Sequence, residues 1–127
     1  EGTVTGALKP GVLVQIDVSE GLDANGRPTW EAYASGTDGA RLMVGVLLPD
    51  ANQGKTADTA YTSGDHGFVY IPHAGDELNV LVQDASASFG DVMIADDDGV
   101  CVVRREEAEA YIQQRGKVTQ HLLCFRF

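Results

Sequence analysis

Val12-Leu13-Val14-Gln15-Ile16-Asp17-Val18 decides the fold class, because its residues alternate with a period of two. Val12, Val14, Ile16 and Val18 fall on one side and Leu13, Gln15 and Asp17 on the other. Successive side chains of a strand point to opposite faces, so the pattern predicts a half-buried β-strand. Lys9-Pro10-Gly11 opens it. A turn-rich stretch, residues 19–28 with Asn25-Gly26 inside it, closes it before residues 29–34 resume as a partner strand.

The same grammar extends along the chain. Ser35-Gly36-Thr37-Asp38-Gly39 reads as a turn, and residues 41–48 follow as an apolar strand with Leu42, Val44, Val46 and Leu48 in phase. Residues 49–60 break the pattern as a loop of a length that is often functional or interface-forming. Short strands are expected at 68–72, 77–83, 92–95 and 100–104, separated by Gly, Asp or Ser. Residues 106–115 place Ala108, Tyr111 and Ile112 at helical spacing, with Glu106 and Glu107 early, Arg115 late and Gly116 as a cap. Residues 117–127 then close the chain as a strand. The expected fold is a mainly β, small β-barrel or β-tulip-like single domain with one short helix. Residues 12–127 form that domain and residues 1–11 an extended N-terminal arm. Thr3-Val4-Thr5 has β propensity but no evident partner in the pattern, and an unpaired strand invites pairing with another chain.

Length and charge bound the function. The 127 residues allow one domain that buries roughly two thirds of its unfolded surface, enough for a core without staples. Nine Lys and Arg stand against nineteen Asp and Glu, a net charge of -10. Residues 56–103 hold no Lys or Arg and nine of the acids, among them Asp58, Asp65, Asp76, Glu77 and Asp96-Asp97-Asp98. Most stand in Gly-Asp or Asp-Gly turns on an expected solvated face. Phosphate recognition rests on clustered cations, and the largest cluster is the pair Arg104-Arg105, so neither nucleic acid nor an anionic membrane is an expected partner. The sequence holds no long apolar run and opens with no recognisable targeting signal, while Glu1 in place of Met is expected where upstream sequence has been removed.

Chemistry-bearing patterns are weak. Gly54-Lys55-Thr56 follows an apolar strand, but Pro49 occupies the place of the first glycine of a phosphate loop. His121 and Cys124, with Cys101 and His73, have metal-like composition, yet residues three apart on a strand face opposite ways. Asp96-Asp97-Asp98-Gly99 lacks the alternating ligands and distal Glu of a calcium loop and reads as a hairpin turn, with adventitious calcium the lesser reading. There is no Gly-x-Ser-x-Gly elbow, Asp65-His66 reads as an exposed turn dipeptide, and no carboxylate pair sits on an identifiable wall. Cys101 and Cys124 lie in apolar runs and are expected as reduced core thiols, a disulfide being the lesser option. No cofactor, metal or enzymatic activity is expected.

Val4-Thr5-Gly6-Ala7-Leu8-Lys9-Pro10-Gly11-Val12-Leu13, then Trp30 to Ala34, then Gly36-Thr37-Asp38-Gly39-Ala40 leading into Val44-Gly45-Val46-Leu47-Leu48, resembles the head decoration, or cement, proteins of tailed bacteriophages. Gly64-Asp65, Phe68-Val69-Tyr70-Ile71-Pro72, Gly75-Asp76-Glu77 and Gly90-Asp91-Val92-Met93 are similar to segments of the same broad type. The likeness spans residues 4–104. It implies a homotrimer on the outer surface of the expanded capsid that clamps neighbouring major capsid proteins. It also implies capsid contact through an N-terminal arm, here Glu1, Gly2, Thr3, Val4 and Thr5, whose deletion should leave a folded trimer unable to bind. The acidic turns would then face solvent and the nearly neutral N-terminal region the capsid. The competing reading is a carbohydrate- or receptor-binding β-domain of a virion or cell surface, with residues 49–60 and the acidic turns as its site. An enzyme using Asp65, His66 or His73 is disfavoured.

Overall fold

The computed structural model describes residues 1–83 and 93–103, and the expected helix at 106–115, the closing strand at 117–127, His121 and Cys124 lie outside them. The strands are β1 (Gly2–Val4), β2 (Leu13–Ile16), β3 (Thr29–Ala32), β4 (Val44–Leu47), β5 (His66–Gly67), β6 (Val69–Tyr70), β7 (Met93–Ala95) and β8 (Cys101–Val103), and one α-helix, α1 (Asp38–Leu42), precedes β4. The first six form one sheet in the order β5-β1-β3-β2-β4-β6. Only Phe68 separates β5 from β6, and its carbonyl accepts from Leu48 N–H at 2.8 Å. A single bent segment therefore pairs with β1 at one edge and β4 at the other, bringing the sheet nearly to a closed barrel and leaving little free edge. The expected mainly β, barrel-like single domain is what forms.

Strand β2 is buried on both faces, not one. Val12 and Val14 join Val4, Leu8, Trp30, Leu47 and Tyr61 in the barrel interior. Leu13, one residue out of phase, packs outside the barrel with Tyr33, Val46, Met93 and Cys101. The β7–β8 hairpin and residues Leu78, Val80 and Val82 cover this outer core, so the sheet carries a second layer. Residues 77–83, expected as a strand, carry isolated bridges instead, among them a parallel one from Val82 to Cys101. Their alternate apolar side chains still point inward, which is why the segment reads as a strand without pairing as one. Cys101 is a free thiol sealed in this layer.

The turn expected at 35–39 is instead the start of α1. Thr37 caps it, Asp38 lies in its first turn and Arg41 in its last, as the helix dipole favours. Five residues make no stable helix alone. Docking holds it, because a Cβ on Gly39 would strike the Ile16 carbonyl oxygen and approach Gln15 Nε2 at 3.1 Å. Only glycine lets this turn lie flat on β2, and strand β4 consequently begins at Val44 instead of residue 41.

Under the helix, Gln15 is fully buried. Its Nε2 donates to Glu31 Oε1 and Thr37 Oγ1, both at 2.8 Å, and its Oε1 accepts from Ala34 N–H at 2.9 Å. One amide thus ties β2, the strand beside it and the helix cap together.

Candidate functional site

The segment expected to be a free arm is a wall of the barrel. Strand β1 pairs in parallel with β3, Thr3 opposite Thr29 and Val4 opposite Trp30, and antiparallel with β5, Gly2 opposite Gly67 and Thr3 opposite His66. Val4 N–H donates to Asp65 O at 2.8 Å, Thr5 N–H to Trp30 O at 2.8 Å, and Gly64 N–H returns to Val4 O at 2.8 Å. The side chain of Val4 is fully buried. A Cβ on Gly2 would strike the Pro28 carbonyl oxygen and crowd Trp30 Nε1 at 2.7 Å. That indole nitrogen is itself buried without a hydrogen-bond partner among the described residues. The expectation of an unpaired strand is therefore corrected: its partners exist but lie 25 and more residues away.

Alternation then sorts the five site residues. Gly2 and Val4 face inward, while Glu1 is exposed and Thr3 and Thr5 are half-buried. Glu1 Oε2 lies 3.1 Å from Arg27 Nη1 and 3.5 Å from His66 Nε2, and Arg27 Nη1 lies 3.5 Å from His66 Nδ1. Thr3 Oγ1 donates to Asp23 Oδ2 at 3.0 Å. Asp23 Oδ1 accepts from the backbone of Asn25 at 2.8 Å and Arg27 at 3.0 Å, which folds the turn that aims Arg27 at Glu1. His66 is a half-buried strand residue with its ring edge-on to Phe68 at 5.3 Å, not the exposed turn residue expected. Within the sequence, Arg27 and His66 gave no sign of meeting Glu1. The fold thus joins the nearly neutral N-terminus to the acidic block, since His66 belongs to the latter.

The other expected candidates serve structure. Asp50 and Lys55 form a bridge around a 3-10 turn, Ala51–Gln53, so the loop at 49–60 is folded on itself. Lys55 Nζ lies 3.0 Å from Asp65 Oδ2, donates to Ala60 O at 3.2 Å and sits 5.7 Å above the ring of Tyr61. A cation so engaged is not aimed at a phosphate. His73 is exposed and Cys101 buried elsewhere, and among the described residues no group of three or more His, Cys, Asp or Glu converges on a metal-sized site.

The acidic turns are built as turns. The backbone N–H of Thr62, the Lys55 ammonium and the Thr62 hydroxyl hold Asp65 below the usual carboxylate range. The His73 N–H, then the Tyr70 hydroxyl, do the same for Asp76, and the Arg27 N–H, then the Asn25 N–H and the Thr3 hydroxyl, for Asp23. For Asp17, burial acts to raise the value, but the Ser19 hydroxyl, the N–H groups of Glu20 and Ser19 and the Thr5 hydroxyl outweigh it. A carboxyl lowered in the folded state stabilises the fold at pH above its unfolded value of about 4, and that stability disappears as pH falls through the lowered value. The melting temperature should be flat from neutrality to about pH 5 and drop below about pH 4. Replacing Asp17 and Asp65 with Asn should flatten this acid limb while lowering the neutral plateau, a pattern that calorimetry across pH would read.

Compared with protein families, with curated proteins and with solved structures, the chain finds no match.

Proposed function

We propose that this is a decoration protein of a tailed-phage head, which binds the outer surface of the expanded capsid as a homotrimer and stabilises contacts between major capsid proteins. It acts by binding alone, without catalysis, cofactor, nucleic acid or membrane, and its place is the virion surface. The sequence resemblance motivates the reading. The observation that carries it further is the N-terminal strand, locked into the barrel so that Glu1 stands in a mixed-charge cluster with Arg27 and His66. A rigid surface of that kind recognises a partner without the ordering cost of a free arm. Attachment accordingly runs through the face around Glu1, Thr3, Arg27 and His66, and three copies give avidity to a small contact.

The test is occupancy of undecorated expanded heads. Exchanging the charges, Glu1→Lys with Arg27→Glu, inverts the polarity of an exposed ion pair whose contribution to folding is about 0–1 kcal/mol, so the double variant should stay folded and trimeric by sedimentation. Its capsid occupancy is expected to fall at least about tenfold, as loss of a central charged contact does. Unchanged occupancy would remove this face from the proposal. Absence of capsid binding by the unaltered protein would end the proposal altogether.

A further inference from the structure

Three places in the chain set an Asn or Asp directly before Gly: Asn25-Gly26, Asp38-Gly39 and Asp98-Gly99. In such a pair the glycine's backbone nitrogen can attack the preceding side-chain carbonyl carbon and close a succinimide ring, because no Cβ on the second residue hinders the approach. The fold leaves room for this at one of the three. A Cβ at Gly39 would strike the Ile16 carbonyl oxygen and one at Gly99 the Leu13 carbonyl oxygen, so both of these glycines are pressed against β2. Their partners are also carboxylates, which are poor electrophiles. At Gly26 nothing beyond its chain neighbours stands within 4 Å of that position, and Asn25 and Gly26 are both exposed. The Asn25 side chain makes no hydrogen bond among the described residues.

Main-chain bonds hold the pair in place. Gly26 N–H donates to Asp23 O at 3.0 Å and Asp23 N–H to Arg27 O at 2.7 Å, while Asp23 Oδ1 accepts from the backbone of Asn25 and Arg27. Only the Gly26 bond must open to free the nucleophile, and bonds in exposed turns are among the first to open in a fold. We propose that Asn25 is a self-modifying residue. The Gly26 nitrogen attacks Asn25 Cγ, a new N–Cγ bond forms, the Cγ–Nδ2 bond breaks, and the Gly26 amide proton leaves with Nδ2 as ammonia. Water then opens the succinimide at one carbonyl or the other, giving aspartate or isoaspartate. Either product adds a carboxylate, which takes the net charge from -10 to -11. Isoaspartate also lengthens the main chain by a methylene inside the turn that aims Arg27 at Glu1 Oε2, 3.1 Å away, and His66 Nδ1, 3.5 Å away. The reaction therefore disturbs the Glu1, Arg27 and His66 cluster; that this weakens capsid attachment in aged protein rests on the decoration reading.

The test uses the full chain without capsids, so its outcome is separate from that of the decoration proposal. Folded protein is held in mildly alkaline buffer at physiological temperature, sampled over weeks, digested and mapped by mass spectrometry, with isoaspartyl methyltransferase labelling to mark the rearranged product. Amide loss is expected at Asn25 at least about tenfold faster than at Asn52 or Asn79, which Gln53 and Val80 follow. Asn25→Gln keeps the amide but requires a larger ring, so it should abolish the product at this position. Ring-proton resonances of His66 should move as the unaltered protein ages and stay in place in the Gln variant. Equal rates at all three asparagines, or an Asn25 still intact once Asn52 or Asn79 has reacted, would overturn the modification site. A modified chain with unmoved His66 resonances would overturn its effect on the cluster.

Discussion

Removing residues 1–5 is expected to unfold the protein, not to release a folded domain that merely fails to bind. Strand β1 lies between β5 and β3, so its loss opens the barrel along two ladders. Val4 is fully buried, and burying such a side chain contributes about 2 kcal/mol. The main chain of Thr3, Val4 and Thr5 makes bonds to Pro28, Asp65, Trp30 and Gly64, each worth about 1 kcal/mol net. Together these approach about 6 kcal/mol, within the range of a whole small domain's stability of about 5–15 kcal/mol, before the exposed flank of Trp30 is considered. The truncated chain should therefore lose its cooperative melting transition and its near-ultraviolet circular dichroism. A milder probe is Gly2→Ala, whose methyl group would collide with the Pro28 carbonyl and the Trp30 ring. Overpacking of that kind costs roughly 1–3 kcal/mol, and denaturant titration should show it with the slope unchanged. A truncated chain that melted cooperatively near the full-length temperature would contradict the integrated strand.

Gln15 should be the most sensitive polar position. Gln15→Ala removes the group that Ala34 N–H, Glu31 and Thr37 all use and leaves a cavity beneath α1. Stranding buried polar partners costs about 1–3 kcal/mol apiece where water cannot replace the bond, so a loss of about 3 kcal/mol is expected. At roughly 4–8 °C per kcal/mol for a domain of this size, the melting temperature should fall by at least about 12 °C. Gln15→Glu distinguishes hydrogen bonding from volume. It preserves the shape but sets a carboxylate where an amide nitrogen lay 2.8 Å from Glu31 Oε1. Two such carboxylates cannot both ionise, so one retains its proton, and the variant should regain stability between pH 7 and pH 5. An equal loss at both pH values would show that packing, not the hydrogen-bond hub, fixes the helix.

How much of this was legible follows from which contacts are local. Strands β2, β3, β4, β7 and β8 fall inside the stretches that alternation marks, because the period-two pattern records burial directly. Helix α1 was missed because Gly36, Asp38 and Gly39 are turn-formers by propensity, and the helix is held by docking onto Ile16, which local sequence does not record. Strand β1 was read correctly as β-prone and wrongly as unpartnered. Its parallel neighbour starts at Thr29 and its antiparallel neighbour at His66, and pairing at that distance in sequence has no local signature. The cluster of Glu1, Arg27 and His66 was invisible for the same reason, each residue coming from a different element.

The sequence by itself determined a small β-rich domain, the turn-rich stretch at 19–28 and the concentration of net negative charge in residues 56–103, since these depend on periodicity, turn chemistry and charge counts. Tertiary structure decided that β2 is buried on both faces, that a bent segment at His66–Gly67 and Val69–Tyr70 closes the barrel, and that the N-terminus is a wall and not an arm. Burial on a second face requires a second layer, and closure requires two edges to meet. Both are properties of which segments come together, and a one-dimensional pattern of apolar residues specifies the faces of each strand without naming its neighbours.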